Sequence, residues 1–181
     1  VNTTWRDLAA DGSVLDEISG MVSANGMQRS VYLDVDGDGA DDLMRTWTVT
    51  FDAAGNEITT YQETAGNGVL ADREVTTASA NGLSSVRTID LDGDGALDGT
   101  MVTTTTLNAD GSRTTLSETH YADGDLRSSD RIEVSRDGRL VMERHDYDGN
   151  GLADKTSELE IRSDGERILT APSDGRGGNV I

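Results

Sequence analysis

In Arg45-Thr46-Trp47-Thr48-Val49-Thr50-Phe51 the apolar residues alternate with threonines. Side chains of a strand point to opposite faces in turn, so this period of two predicts a half-buried β-strand. Met101-Val102-Thr103-Thr104-Thr105-Thr106-Leu107 and Arg131-Ile132-Glu133-Val134 are likewise rich in β-branched residues and predict strands. Helical spacing is not sustained anywhere. Leu15 to Ile18 comes nearest to it, but its place in the repeat described next marks it as a strand.

Between these stretches turn signals of the Asn-Gly or Asp-Gly kind recur on average about every 14 residues, near Gly12, Gly26, Gly37, Gly55, Gly68, Gly82, Gly93, Gly111, Gly124, Gly138, Gly149 and Gly165. Such pairs predict tight hairpin turns, because Gly, and to a lesser degree Asn and Asp, tolerates the positive φ those turns require. The signals repeat with a period of 56: Ser23-Ala24-Asn25-Gly26 matches Ser79-Ala80-Asn81-Gly82, and Ser135-Arg136-Asp137-Gly138 falls at the same phase. Gly165 comes two residues early. A fixed period of this length is the mark of a repeat architecture. The expected fold is all-β, an antiparallel hairpin or meander array with about four strands per 56-residue unit. Open propeller-like blades of four strands are the alternative. The units are expected at residues 22–77, 78–133 and 134–181, the last truncated, after a partial unit at 1–21, all within one repeat-built domain over 1–181. Residues 172–181 are glycine-rich and expected to be flexible, and the phase at both ends suggests a piece of a longer array.

Composition makes that fold hard to stabilise. Leu, Ile, Val and Phe total 36 of 181 residues, and the formal charge is −19, from 34 acidic against 15 basic side chains. A chain this lean in apolar residues and this charged lies at the boundary of disorder. Fourteen of the basic residues are Arg, scattered singly among acids, so no basic stripe forms and no nucleic-acid partner is expected. No apolar run approaches the roughly 18 residues of a membrane span. There is no cysteine, so neither disulfides nor thiolate zinc sites can staple the fold. Metal is the remaining candidate.

Three loops of the form Asp-x-Asp-Gly-Asp/Asn-Gly-x-x-Asp begin at Asp34, Asp90 and Asp146, each 56 residues after the last. Calcium takes six to eight oxygens at about 2.3–2.6 Å, and side chains at positions 1, 3 and 5 converge on one ion only if the chain curls at position 6. The first loop supplies Asp34, Asp36 and Asp38, Gly39 at the curl, the Ala40 carbonyl and Asp42. The second supplies Asp90, Asp92, Asp94, the Ala96 carbonyl and Asp98, with Gly95 at its curl. The third supplies Asp146, Asp148, Asn150, the Leu152 carbonyl and Asp154, with Gly151. About three Ca2+ ions are expected, and lanthanide ions should satisfy the same donors. With one carboxylate fewer, the third site is expected to bind most weakly. Without metal, two carboxylates about 5 Å apart repel by on the order of 3 kcal/mol at an effective dielectric near 20, so binding is expected to contribute to folding.

Position 12 holds Arg45, Met101 or Ser157 where an EF-hand has glutamate, and the flanks are strands. The loops instead resemble those between β-strands of integrin-type and related secreted repeats. Together with Leu107-Asn108-Ala109-Asp110-Gly111-Ser112-Arg113-Thr114-Thr115 and Ile89-Asp90-Leu91-Asp92-Gly93-Asp94-Gly95, they resemble the threonine-rich repeats of large bacterial exoproteins of the RTX, or haemolysin-type calcium-binding, group. That resemblance implies a secreted or cell-surface bacterial protein, exported into calcium-rich surroundings as part of an adhesin or toxin-like giant. The Gly-Gly-x-Gly-x-Asp nonapeptide of the RTX β-roll does not occur, so antiparallel hairpins are expected rather than a parallel roll.

No enzymatic activity is expected: His120 and His145 have no nucleophile at a telling spacing, and hydrolase, phosphate-loop and zinc-protease motifs are missing. Trp5, Trp47, Tyr61 and Tyr121 are read as strand-face packing ahead of sugar stacking. The functional expectation is a calcium-rigidified structural or extension module whose partners are calcium and neighbouring repeats of a longer chain. The alternative is an adhesin segment binding a cell-surface ligand, or a dedicated calcium or lanthanide binder.

Overall fold

The computed structural model describes residues 1–170; the glycine-rich stretch at 172–181 lies outside them. Thirteen strands and no helix make up the described chain. They are β1 (Asn2–Leu8), β2 (Val14–Val22), β3 (Gln28–Asp34), β4 (Leu43–Phe51), β5 (Glu57–Ala65), β6 (Leu70–Ala78) and β7 (Ser84–Asp90), followed by β8 (Gly99–Leu107), β9 (Arg113–Tyr121), β10 (Leu126–Val134), β11 (Leu140–Asp146), β12 (Lys155–Ile161) and β13 (Arg167–Thr170). Within each of the two compact units described next, strand order follows chain order in an antiparallel meander. The 56-residue period holds to the residue in most strands: β3, β7 and β11 start at 28, 84 and 140, and β2, β6 and β10 at 14, 70 and 126, whereas β13 starts at 167, two residues early against β5 and β9 at 57 and 113, as Gly165 does. Leu15 to Ile18 lies in β2, as its phase predicts.

The chain divides into two compact units, Val1–Ala80 with Arg87–Asp98, and Asn81–Val86 with the chain from Gly99 onward. In the first, one ladder runs without a break through β1 to β6. In the second it runs from β8 to β13. Six strands in continuous register exceed the four of a blade, so the propeller alternative does not hold.

No apolar side chain among the described residues is fully buried, and the buried residues are Ser30, Asp34, Asp90 and Asp146. Half-buried strand residues and cross-strand pairs hold the sheet instead. Arg45 lies opposite Glu63 and Trp47 opposite Tyr61 between β4 and β5, and Arg6 opposite Glu17 between β1 and β2. Pairs of this kind contribute roughly 0.2–1 kcal/mol each. Of the four aromatics singled out in the sequence, Trp47 and Tyr61 pack on one another, whereas Trp5 and Tyr121 are exposed.

The hairpin turns differ from the tight pairs expected. No residue other than glycine has positive φ among those described, which excludes turns needing it at Asn or Asp. In the turns ending at Gly26, Gly55, Gly111 and Gly138 the glycine N–H instead donates to the carbonyl three residues earlier. An Asn or Asp of the turn directs its side chain back on the loop: Asn25 Oδ1 accepts from Met27 N–H, Asp137 Oδ1 from Arg139 N–H, and before Gly55, where Ala54 precedes the glycine, Asp52 Oδ1 accepts from Ala54 N–H. These are Asx-type turns in which glycine alone takes the left-handed conformation.

Candidate metal centres

Each acidic loop closes a hairpin. In the first, Asp34 is the last residue of β3, and the Asp42 N–H donates to the Leu33 carbonyl at 2.7 Å. Asp98 to Ile89 and Asp154 to His145 repeat the bond at 2.8 Å. The position-1 aspartate then serves as a hub. Asp34 accepts from Gly37 N–H at 2.7 Å on one oxygen and Gly39 N–H at 2.8 Å on the other. Asp90 accepts in the same way from Gly93 and Gly95, and Asp146 from Gly149 and Gly151. The three hubs are 4–6 % exposed. Burial raises the pKa of Asp34 and of Asp146, but the N–H groups of Gly39 and Gly37, or of Gly151 and Gly149, outweigh it, and both carboxyls fall below their ordinary range.

The remaining acids order themselves by the same means. Position 3 accepts from the N–H of position 5, and position 5 from that of position 7: Asp36 and Asp38 in the first loop, Asp92 and Asp94 in the second, Asp148 and Asn150 in the third. The position-9 carboxylate reaches across the loop to the N–H of position 2, as Asp42 to Val35, Asp98 to Leu91 and Asp154 to Tyr147. Backbone donors thus gather like charges that would otherwise repel.

Oxygen atoms of Asp34, Asp36 and Asp42 lie within 4.8 Å of one another, as do those of Asp90, Asp92 and Asp94, and those of Asp146, Asp148 and Asp154. Two oxygens bound to one calcium at about 2.3–2.6 Å can be no farther apart than about 5 Å, so the donor sets fit a hard cation. All nine residues belong to the ligand sets expected from the sequence. Asp38 and Asp98 lie outside these triads, and the third loop differs at Asn150, whose amide donates to Asp148 Oδ2 at 3.0 Å.

Two features had no counterpart in the sequence reading. Gly37, Gly93 and Gly149, at position 4, combine positive φ with close backbone contact, because a Cβ on any of them would overlap the carbonyl oxygen of Val14, Leu70 or Leu126. Those residues open β2, β6 and β10, where the ladder bulges: Leu15, Ala71 and Arg127 are each skipped in the pairing with the preceding strand. Each loop is therefore seated against the bulge of the hairpin before it. The glycines were visible in register, but a turn signal and a packing requirement look the same in sequence.

His145, immediately before the third loop, places Nδ1 2.5 Å from Asp130 Oδ1 and stacks on Tyr147. Comparison of the chain with protein-family models finds no match, and comparison with curated proteins finds none.

Proposed function

We propose that this chain is a calcium-binding structural or extension module of a large secreted or cell-surface bacterial protein, folded and rigidified by Ca2+. The observation that carries the reading is the inverted burial pattern: the first carboxylate of each loop, Asp34, Asp90 or Asp146, is buried while no described apolar side chain is. A sheet with so little apolar burial gains little from the hydrophobic effect, which ordinarily dominates folding. Bound cations would supply the missing term by neutralising the gathered carboxylates of Asp34, Asp36 and Asp42 and of their two repeats. Coupling of metal to folding would leave the chain flexible where calcium is scarce and stiff where it is millimolar. The RTX-like character of the loops and threonine-rich strands supports an exported parent protein. Lanthanide ions would occupy the same oxygens.

Equilibrium dialysis against Ca2+ tests this. Uptake of about three ions per chain is expected, reduced by about one in each of Asp36→Ala, Asp92→Ala and Asp148→Ala. Failure to take up calcium at millimolar concentration would contradict the reading.

A further inference from the structure

A groove of about 480 Å3 opens on one face of the first unit, lined by Arg45, Trp47, Tyr61, Glu74, Thr76 and Arg87. Cross-strand register puts these chemistries side by side: Arg45 opposite Glu63, Trp47 opposite Tyr61, and Tyr61 opposite Glu74. The arginines, the glutamates and the tyrosine hydroxyl of the row are held by one another. Arg45 Nε donates to Glu63 at 2.7 Å, the Tyr61 hydroxyl donates to the same carboxylate at 3.1 Å, and Arg87 pairs with Glu74. Arg29 lies over the Trp47 ring at 5.1 Å, and Tyr61 packs beside it with ring centroids 5.2 Å apart.

The protein contains its own control for what this row contributes. Fifty-six residues on, Arg45, Glu63, Trp47 and Tyr61 are replaced by Met101, Thr119, Thr103 and Ser117. The strands β8 and β9 nevertheless pair in the same register, Thr103 opposite Ser117 and Met101 opposite Thr119. A hydroxyl contact of 3.0 Å between Thr103 and Ser117 stands where the aromatic pair stands in the first unit. The scaffold therefore forms without the aromatic and charged set.

We propose that this groove binds a neutral saccharide. Aromatic surface fits the apolar C–H face of a pyranose ring, while ion-paired Arg and Glu present fixed donors and acceptors for its hydroxyls. Charge selects the ligand class. Three arginines, Arg29, Arg45 and Arg87, stand among three acids, Glu63, Glu74 and Asp72, and balance locally within a chain of net charge −19, so the groove offers no excess charge to an ion and the surroundings repel polyanions. The inference stands apart from calcium binding, since none of these side chains belongs to a loop triad.

The test is a titration of the full chain, with calcium held constant, by the neutral hexasaccharides of cellulose, laminarin, maltan, xylan, mannan and chitin. At least one is expected to give a saturable shift in tryptophan emission and to move the Trp47 indole resonance while leaving Trp5 in place. Trp47→Thr combined with Tyr61→Ser, the residues of the second repeat, is expected to weaken binding at least tenfold with an unchanged circular dichroism spectrum. Trp5→Thr is expected to bind as the parent does. The proposal is overturned if no neutral hexasaccharide saturates, if the resonance that moves is that of Trp5, or if the folded double variant binds undiminished. Tighter binding of polygalacturonate than of every neutral sugar would also overturn it. Should the double variant fail to fold, the resonance measurement on the parent chain decides the matter alone.

Discussion

Gly93 shows how much a single position in these loops carries. Its φ is +69°, and an added Cβ would overlap the Leu70 carbonyl, whereas Gly95, at φ +89°, has open space around it. Alanine at 95 suffers only the left-handed strain of about 1–2 kcal/mol. At 93 it must also displace backbone, so Gly93→Ala is expected to cost about 2–5 kcal/mol in urea unfolding, well above Gly95→Ala. Asp90 differs from an ordinary metal ligand in the same way. Asp90→Ala leaves the Gly93 and Gly95 N–H groups without their acceptor, at about 1–3 kcal/mol each where they stay buried. It should therefore destabilise the chain with chelator as well as with calcium, and more than Asn150→Ala does; equal, negligible effects would show that the hub is no hub. On the strand face, the Arg45 hydrogen bond lowers the Glu63 pKa from its ordinary 4.5, partial burial opposes it, and the Tyr61 hydroxyl adds to the lowering. A folded value below the unfolded one means stabilisation that is complete above pH 4.5 and lost as pH falls through the folded pKa. Carboxyl NMR should find Glu63 titrating below 4.5, and back towards 4.5 in Arg45→Met.

At the scale of the element, the three loops are built alike but are not equal. Asn150 removes one carboxylate from the third and spends its amide on Asp148. With less negative charge to hold an ion, that loop should release calcium first. Amide spectra recorded through a chelator titration would show Gly151 changing before Gly39 and Gly95; simultaneous change would refute the ranking. Strands and loops alike were legible in the sequence, because the alternation around Trp47 and the repeat of Asp34, Asp90 and Asp146 are local patterns. The turn geometry was not, since Asn25-Gly26 spells a two-residue turn as readily as the Asx turn it forms. Nor were the bulges at Leu15, Ala71 and Arg127. They appear only when two strands are paired, and nothing in Leu, Ala and Arg marks a shared backbone role. The docking of Gly37 on Val14 joins residues of separate hairpins and likewise has no local signature.

For the whole molecule, the sequence pointed to a thin core, and the structure goes further: exposed residues include Trp5, Val35, Leu91 and Tyr147, while the buried ones are polar or acidic. Domains usually gain stability by packing two layers around apolar side chains. Here the described chain relies on backbone ladders, cross-strand pairs and three sets of carboxylates drawn together by N–H donors. Stability should then depend on cation to a degree unusual for a chain of this size. Thermal unfolding followed by circular dichroism, in millimolar calcium and in excess chelator, tests that dependence most directly. A β-sheet spectrum and a cooperative melt are expected with calcium, and a midpoint lowered by about 10 °C or more, or no cooperative melt at all, with chelator. An unchanged spectrum and midpoint after chelation would contradict it.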